Sequence, residues 1–86
     1  MYHVRLTEDA QRVFEGADAA LQRKLDRCFL YLRTDPRRHP NIRKLKGELS
    51  AYHRFRVGDW RVIYRIDDER RTVWVAAIDH RREAYR

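Results

Sequence analysis

The chain of 86 residues is predicted to be a single α+β domain: an N-terminal strand, a two-helix antiparallel hairpin, an antiparallel three-stranded meander and a short C-terminal tail. Three observations predict it. Apolar residues recur at helical spacing between residues 8 and 34, then alternate or run on after residue 50. Gly16, Pro36 and Gly58 punctuate the changes of period. The length suits one domain spanning residues 1–86, with a thin core. Strands and helices in that order suit an antiparallel sheet with helices on one face.

Tyr2, Val4 and Leu6 alternate with His3 and Arg5, the period of a strand. Thr7 is a good N-cap, and Glu8 and Asp9 follow where the helix dipole favours acids. Ala10, Val13, Phe14 and Ala17 share one face of the first helix, and Gly16 marks its end. Asp18 can cap the second helix, whose inner face carries Leu21, Leu25, Cys28, Phe29 and Leu32. Pro36 disfavours helix at Asp35 and so stops it. Residues 33–46, with Pro36 and Pro40, read as a basic loop beside the sheet. Tyr52 to Val57, Trp60 to Asp67 and Thr72 to Asp79 are rich in aromatic and β-branched residues and read as the three meander strands. Gly58-Asp59 and Asp68 to Arg71 are the turns. The last strand is nearly continuous in apolar residues, as a strand covered on both faces should be.

Composition narrows the function. No stretch approaches the roughly 20 apolar residues of a membrane span, and residues 1–5 read as neither signal nor transit peptide, so a cytoplasmic protein is expected. The single cysteine, Cys28, can form no internal disulfide, lies on an apolar helix face and is expected in the core. The four histidines are scattered, and His80 with Glu83 is one pair rather than a metal site. Net charge is +7, and residues 1–32 are balanced, so the surplus lies wholly in residues 33–86. A localised surplus of this kind suits a face that meets a polyanion.

The hairpin sharpens that expectation. With Gly58-Asp59 as a two-residue turn, Val57 pairs with Trp60, Arg56 with Arg61, Phe55 with Val62, Arg54 with Ile63, His53 with Tyr64, and Tyr52 with Arg65. Alternation then puts Phe55, Val57, Trp60, Val62, Tyr64 and Ile66 toward the helices. It puts Tyr52, Arg54, Arg56, Arg61, Ile63 and Arg65 on the other face, where the hairpin supplies no carboxylate. The planar guanidinium suits phosphate oxygens and stacks on bases, so this face is expected to bind phosphates, and Arg43, Lys44 and Lys46 extend it.

Three blocks carry a resemblance: Lys44-Leu45-Lys46-Gly47-Glu48-Leu49, then Tyr52 to Tyr64, then His80-Arg81-Arg82-Glu83-Ala84-Tyr85. Together they resemble the RelE/ParE toxin superfamily, the RelE branch most closely, over essentially the whole chain. The resemblance implies a RelE-like fold and a ribosome-dependent mRNA endoribonuclease that needs no metal or cofactor. The implied partners are a cognate antitoxin and mRNA on the ribosome, with contacts to 16S rRNA and none to a membrane. It implies catalytic roles for Arg61, Arg81 and Tyr85, puts Arg54 where the archetype has a catalytic lysine and Tyr52 where it has another, and places Lys44 and Lys46 near RNA; the basic segment adds Arg43, and the hairpin register adds Arg56 and Arg65, as expected RNA contacts. Two alternatives stand beside it: a ParE-type gyrase inhibitor with no catalysis of its own, and a basic module that only docks on RNA.

Metal-free cleavage makes the RNA 2′-hydroxyl the nucleophile, and needs a base for it, positive charge on the phosphorane and an acid for the leaving oxygen. Arginine cannot be the base. His80, adjacent to Arg81, is the expected base, because histidine is the usual general base of enzymes, with Tyr85 as the other candidate.

Overall fold

A computed structural model describes residues 1–80 as five strands and two helices. Strand β1 is His3–Leu6, helix α1 Glu8–Gly16, helix α2 Ala19–Thr34, strand β2 Ile42–Lys44, β3 Tyr52–Val57, β4 Trp60–Asp67 and β5 Thr72–His80; a single 3-10 turn, Gly47–Leu49, lies between β2 and β3. The sheet order is β1-β5-β4-β3-β2, with β1 parallel to β5 and every other pair antiparallel.

The helix ends form as their sequences dictate. The Thr7 side chain accepts from the Ala10 amide at 3.3 Å and donates to the Ala76 carbonyl at 2.9 Å, so it caps α1 and fastens it to β5. Asp18 accepts from the Leu21 amide at 2.8 Å and starts α2. Asp35 receives the amides of Arg37 and Arg38, both at 3.1 Å, where α2 ends.

One face of the sheet is covered by the helices. Leu25, Cys28 and Leu32 of α2 and Ala10 of α1 are buried against Phe55, Val57, Val62, Tyr64, Val73, Val75 and Ile78. Fully buried Tyr64 donates its hydroxyl to the Pro36 carbonyl at 2.7 Å, which removes the cost of burying an unpaired polar group. Burial raises both its pKa and that of the Cys28 thiol, the latter to about 12, so Cys28 stays a protonated core residue.

Two expectations are corrected. The sheet has five strands: Ile42–Lys44, expected as loop, pairs with β3. Three residues between Pro40 and Gly47 are too few to show a period, and pairing is driven from outside, by Ile42 opposite buried Phe55 and the Arg56 amide donating to the Asn41 carbonyl at 3.0 Å. Among the described residues, the strand expected to be covered on both faces has helices on one face only. Pairing jumps from Ile63–Ala77 to Tyr64–Val75, which leaves Ala76 as the extra residue of a bulge. Val73, Val75 and Ile78 therefore all reach the core, while Trp74 and Ala77 stay half-buried on the open side.

Candidate nucleic-acid interface

The six pairs of the β3–β4 hairpin are those expected from the two-residue turn. Gly58 takes φ +59 while Asp59 does not adopt a positive φ, the pattern of a turn that needs glycine first. That turn sets which side chains face away from the helices.

The open face consists of cross-strand rows. Arg43 lies opposite Arg54, which lies opposite Ile63, then Ala77. The second row is Arg56, Arg61, Asp79, and the third is Tyr52, Arg65, Trp74, Arg5. Among the described residues, Arg5, Arg43, Arg56 and Arg65 make no ion pair, and all four are exposed. Arg54 is half-buried and donates to the Asn41 carbonyl at 3.2 Å, so one end of its guanidinium is held by the β2 edge.

Arg61 differs from its neighbours. It was expected on an exposed, acid-free face but is only 5% exposed, and β5 sets Asp79 directly opposite it. The hairpin sequence could not reveal a carboxylate contributed by the next strand. The pairing is one of strand register, and a guanidinium removed from water acts more strongly on a nearby anion.

The histidine expected beside these arginines is elsewhere. His80 pairs with Trp60 and their rings meet edge to face at 5.2 Å, so His80 lies on the helix side of the sheet while Arg61 and Asp79 lie on the other. Strand alternation separates them: Asp79, one residue earlier, takes the open-face position. Strand β5, which carries both residues, is second in the sheet, between β1 and β4. Arg81 and Tyr85 lie outside the described residues.

Of the residues expected to bind RNA, Arg43, Arg56 and Arg65 share the open face. Lys44 pairs with His53 on the helix side, and Lys46 precedes the 3-10 turn at the edge. His53 stacks on Tyr64 at 5.6 Å, and burial, then the charges of Arg37 and Lys44, lower its pKa, so it stays neutral. Sequence reasoning missed Asp79, Arg5 and Trp74. Each needed β5 and its parallel partner β1 to be placed in register. Among the described residues, no three His, Cys, Asp or Glu side chains are grouped to hold a metal ion.

The family described as the ParE toxin of the type II toxin-antitoxin system, parDE, matches residues 4–85. The chain belongs to the RelE/ParE toxin superfamily. It is 38% identical over 88 residues to toxin RelG of Mycobacterium tuberculosis, covering 99% of this chain and 97% of that protein. It is 31% identical to a chain of the RelBE2 toxin-antitoxin complex of the same organism, with a TM-score of 0.80 over 93% of this chain and 98% of that one. The RelE-RelB complex of Pyrococcus horikoshii OT3 is 22% identical with a TM-score of 0.82, covering 96% and 98%, and shows the shared RelE fold. The protein is thus a RelE-family toxin of a toxin-antitoxin system, and its arginine face is a face of the RelE sheet.

Proposed function

We propose that this toxin is a ribosome-dependent mRNA endoribonuclease that cleaves through the RNA's own 2′-hydroxyl, with a cognate antitoxin as its physiological inhibitor. The observation that carries the reading is the open face, where half-buried Arg54 and buried Arg61 lie among exposed Arg43 and Arg56. Arg54 and Arg61 hold the scissile phosphate and stabilise the charge that develops on it. Arg43, Arg56 and Arg65 bind flanking phosphates, and Lys44 and Lys46 reach RNA from the sheet edge. Arg81 and Tyr85 keep the catalytic roles that the RelE resemblance implies. Because His80 faces away from Arg61, the base for the 2′-hydroxyl is assigned to a group other than His80: Tyr85, or Asp79, which pairs in register with Arg61.

The family description favours a second reading, inhibition of DNA gyrase by a ParE-type toxin without catalysis. One experiment separates the two. On induction without antitoxin, primer extension on cellular mRNA should find cuts in translated frames that disappear when initiation is blocked, with chromosomal DNA intact. Double-strand DNA breaks with uncut mRNA would establish the gyrase reading instead.

A further inference from the structure

The described residues include nine Phe, Tyr and Trp rings, and seven have a specific partner. Phe14 packs on Phe29, Phe55 and Tyr31 share a cluster with His39, Trp60 meets His80, Tyr64 stacks on His53, and Tyr2 hydrogen-bonds Asp68. Tyr52 and Trp74 are the exceptions: among the described residues neither makes a ring contact or a side-chain hydrogen bond. Both lie on the open face, in the same cross-strand row, where Tyr52, Arg65, Trp74 and Arg5 succeed one another across β3, β4, β5 and β1. Rings and exposed guanidiniums alternate along it, and two strand spacings, about 10 Å, separate the strands of the two rings.

Aromatic side chains that lack a partner and lie half-buried on a sheet keep a π-face available, and every base has a π-face to match. A four-stranded sheet presenting aromatics to two or three unstacked bases is a recurrent way to hold single-stranded RNA. Charge selects the occupant: Arg65 and Arg5, neither ion-paired among the described residues, suit the phosphates between stacked bases and repel a basic partner. We infer that this row is a stacking track for single-stranded RNA, in which Trp74 and Tyr52 each stack a base beside the scissile phosphate held by Arg54 and Arg61. The inference rests on the reading of the open face as an RNA face and adds a measurable property: affinity for a short RNA strand in the absence of the ribosome.

The test uses the full chain and a fluorescein-labelled 2′-O-methyl hexaribonucleotide, which lacks the nucleophile and so reports binding alone. Anisotropy should show binding, and Trp74→Leu, which keeps an apolar side chain but removes the ring, should weaken it about 5- to 150-fold, the worth of one stacked base. Trp74→Phe should recover most of the loss. In a Trp60→Phe background, where Trp74 is the only indole, an unlabelled hexamer should quench the fluorescence. A duplex of the same sequence, its bases already stacked, should do neither. No binding, equal binding by Trp74→Leu, or no quenching would overturn the track, and the quenching measurement decides the matter even if Trp74→Leu fails to fold. Ribosome-dependent cleavage is scored separately. Cleavage with Trp74-indifferent binding defeats the track alone, whereas Trp74-dependent binding without cleavage defeats the nuclease reading alone.

Discussion

At the scale of single residues, burial separates arginines that look alike in the sequence. Arg56 and Arg61 face each other across the hairpin, but the first is exposed and the second is 5% exposed with Asp79 on its far side. Arg61→Ala would combine two effects, loss of a catalytic charge and loss of a buried group facing a carboxylate. Arg61→Lys separates them. It keeps the charge but loses the planar fork, so cleavage should fall about tenfold or more while the melting temperature moves by only a few degrees. Unchanged cleavage would remove Arg61 from the phosphate site. His80 gives the opposite expectation. Facing Trp60 across the sheet from Arg61, it should tolerate His80→Gln with cleavage changed less than about threefold, against the 10²–10⁴-fold loss usual for a general base. A loss of that larger size, with the melting temperature unchanged, would return the base to His80.

At the scale of elements, the legible parts were those determined by neighbours in the chain. Thr7 and Asp18 cap helices through bonds spanning three residues, and the Gly58-Asp59 turn determines six cross-strand pairs at once, so these were readable. The illegible parts depend on strands far apart in sequence. Strand β2 exists because β3 is beside it, and Asp79 comes opposite Arg61 only because β5 pairs with β4 through a bulge that no local pattern announced. The Arg54 and Arg61 part of the site was therefore legible as a face, but its acidic member was not. The elements carry their own tests. Gly58→Ala forces a side chain into φ +59 and should destabilise the hairpin by about 1 kcal/mol, although nothing within 4 Å obstructs the new methyl. Asp18→Ala should cost about 1 kcal/mol through the lost cap. Both are checked by urea unfolding, and a neutral Gly58→Ala would show that the turn can take another form.

At the scale of the whole molecule, one exposed carboxylate ties together segments that the sequence separates. Asp68, in the turn between β4 and β5, receives two bonds from the Arg37 guanidinium, at 3.2 and 2.8 Å, and one from the Tyr2 hydroxyl at 2.7 Å. Arg71 lies over the Tyr2 ring at 4.3 Å. The N-terminal residues, the segment after α2 and the β4–β5 turn are thereby joined at one corner, well away in register from the Arg56–Arg61–Asp79 row. The hydrogen bond from Arg37, then that from Tyr2, lowers the Asp68 pKa to about 2, below the ordinary aspartate value of 3.8. A carboxyl whose pKa is depressed in the folded state stabilises the fold above its unfolded pKa and loses that contribution as pH falls through the folded one. Asp68→Asn should therefore melt below wild type at pH 7, and the gap should hold down to about pH 4 and close as pH approaches 2. Arg37→Ala should show the same convergence, because it removes the main cause of the shift. Binding of the hexanucleotide at pH 7 should be unchanged in both variants, since Arg37 is already committed to Asp68 and does not belong to the open face. A gap between Asp68→Asn and wild type that persists undiminished at pH 2 would show that the corner is held by something other than this ionised carboxylate.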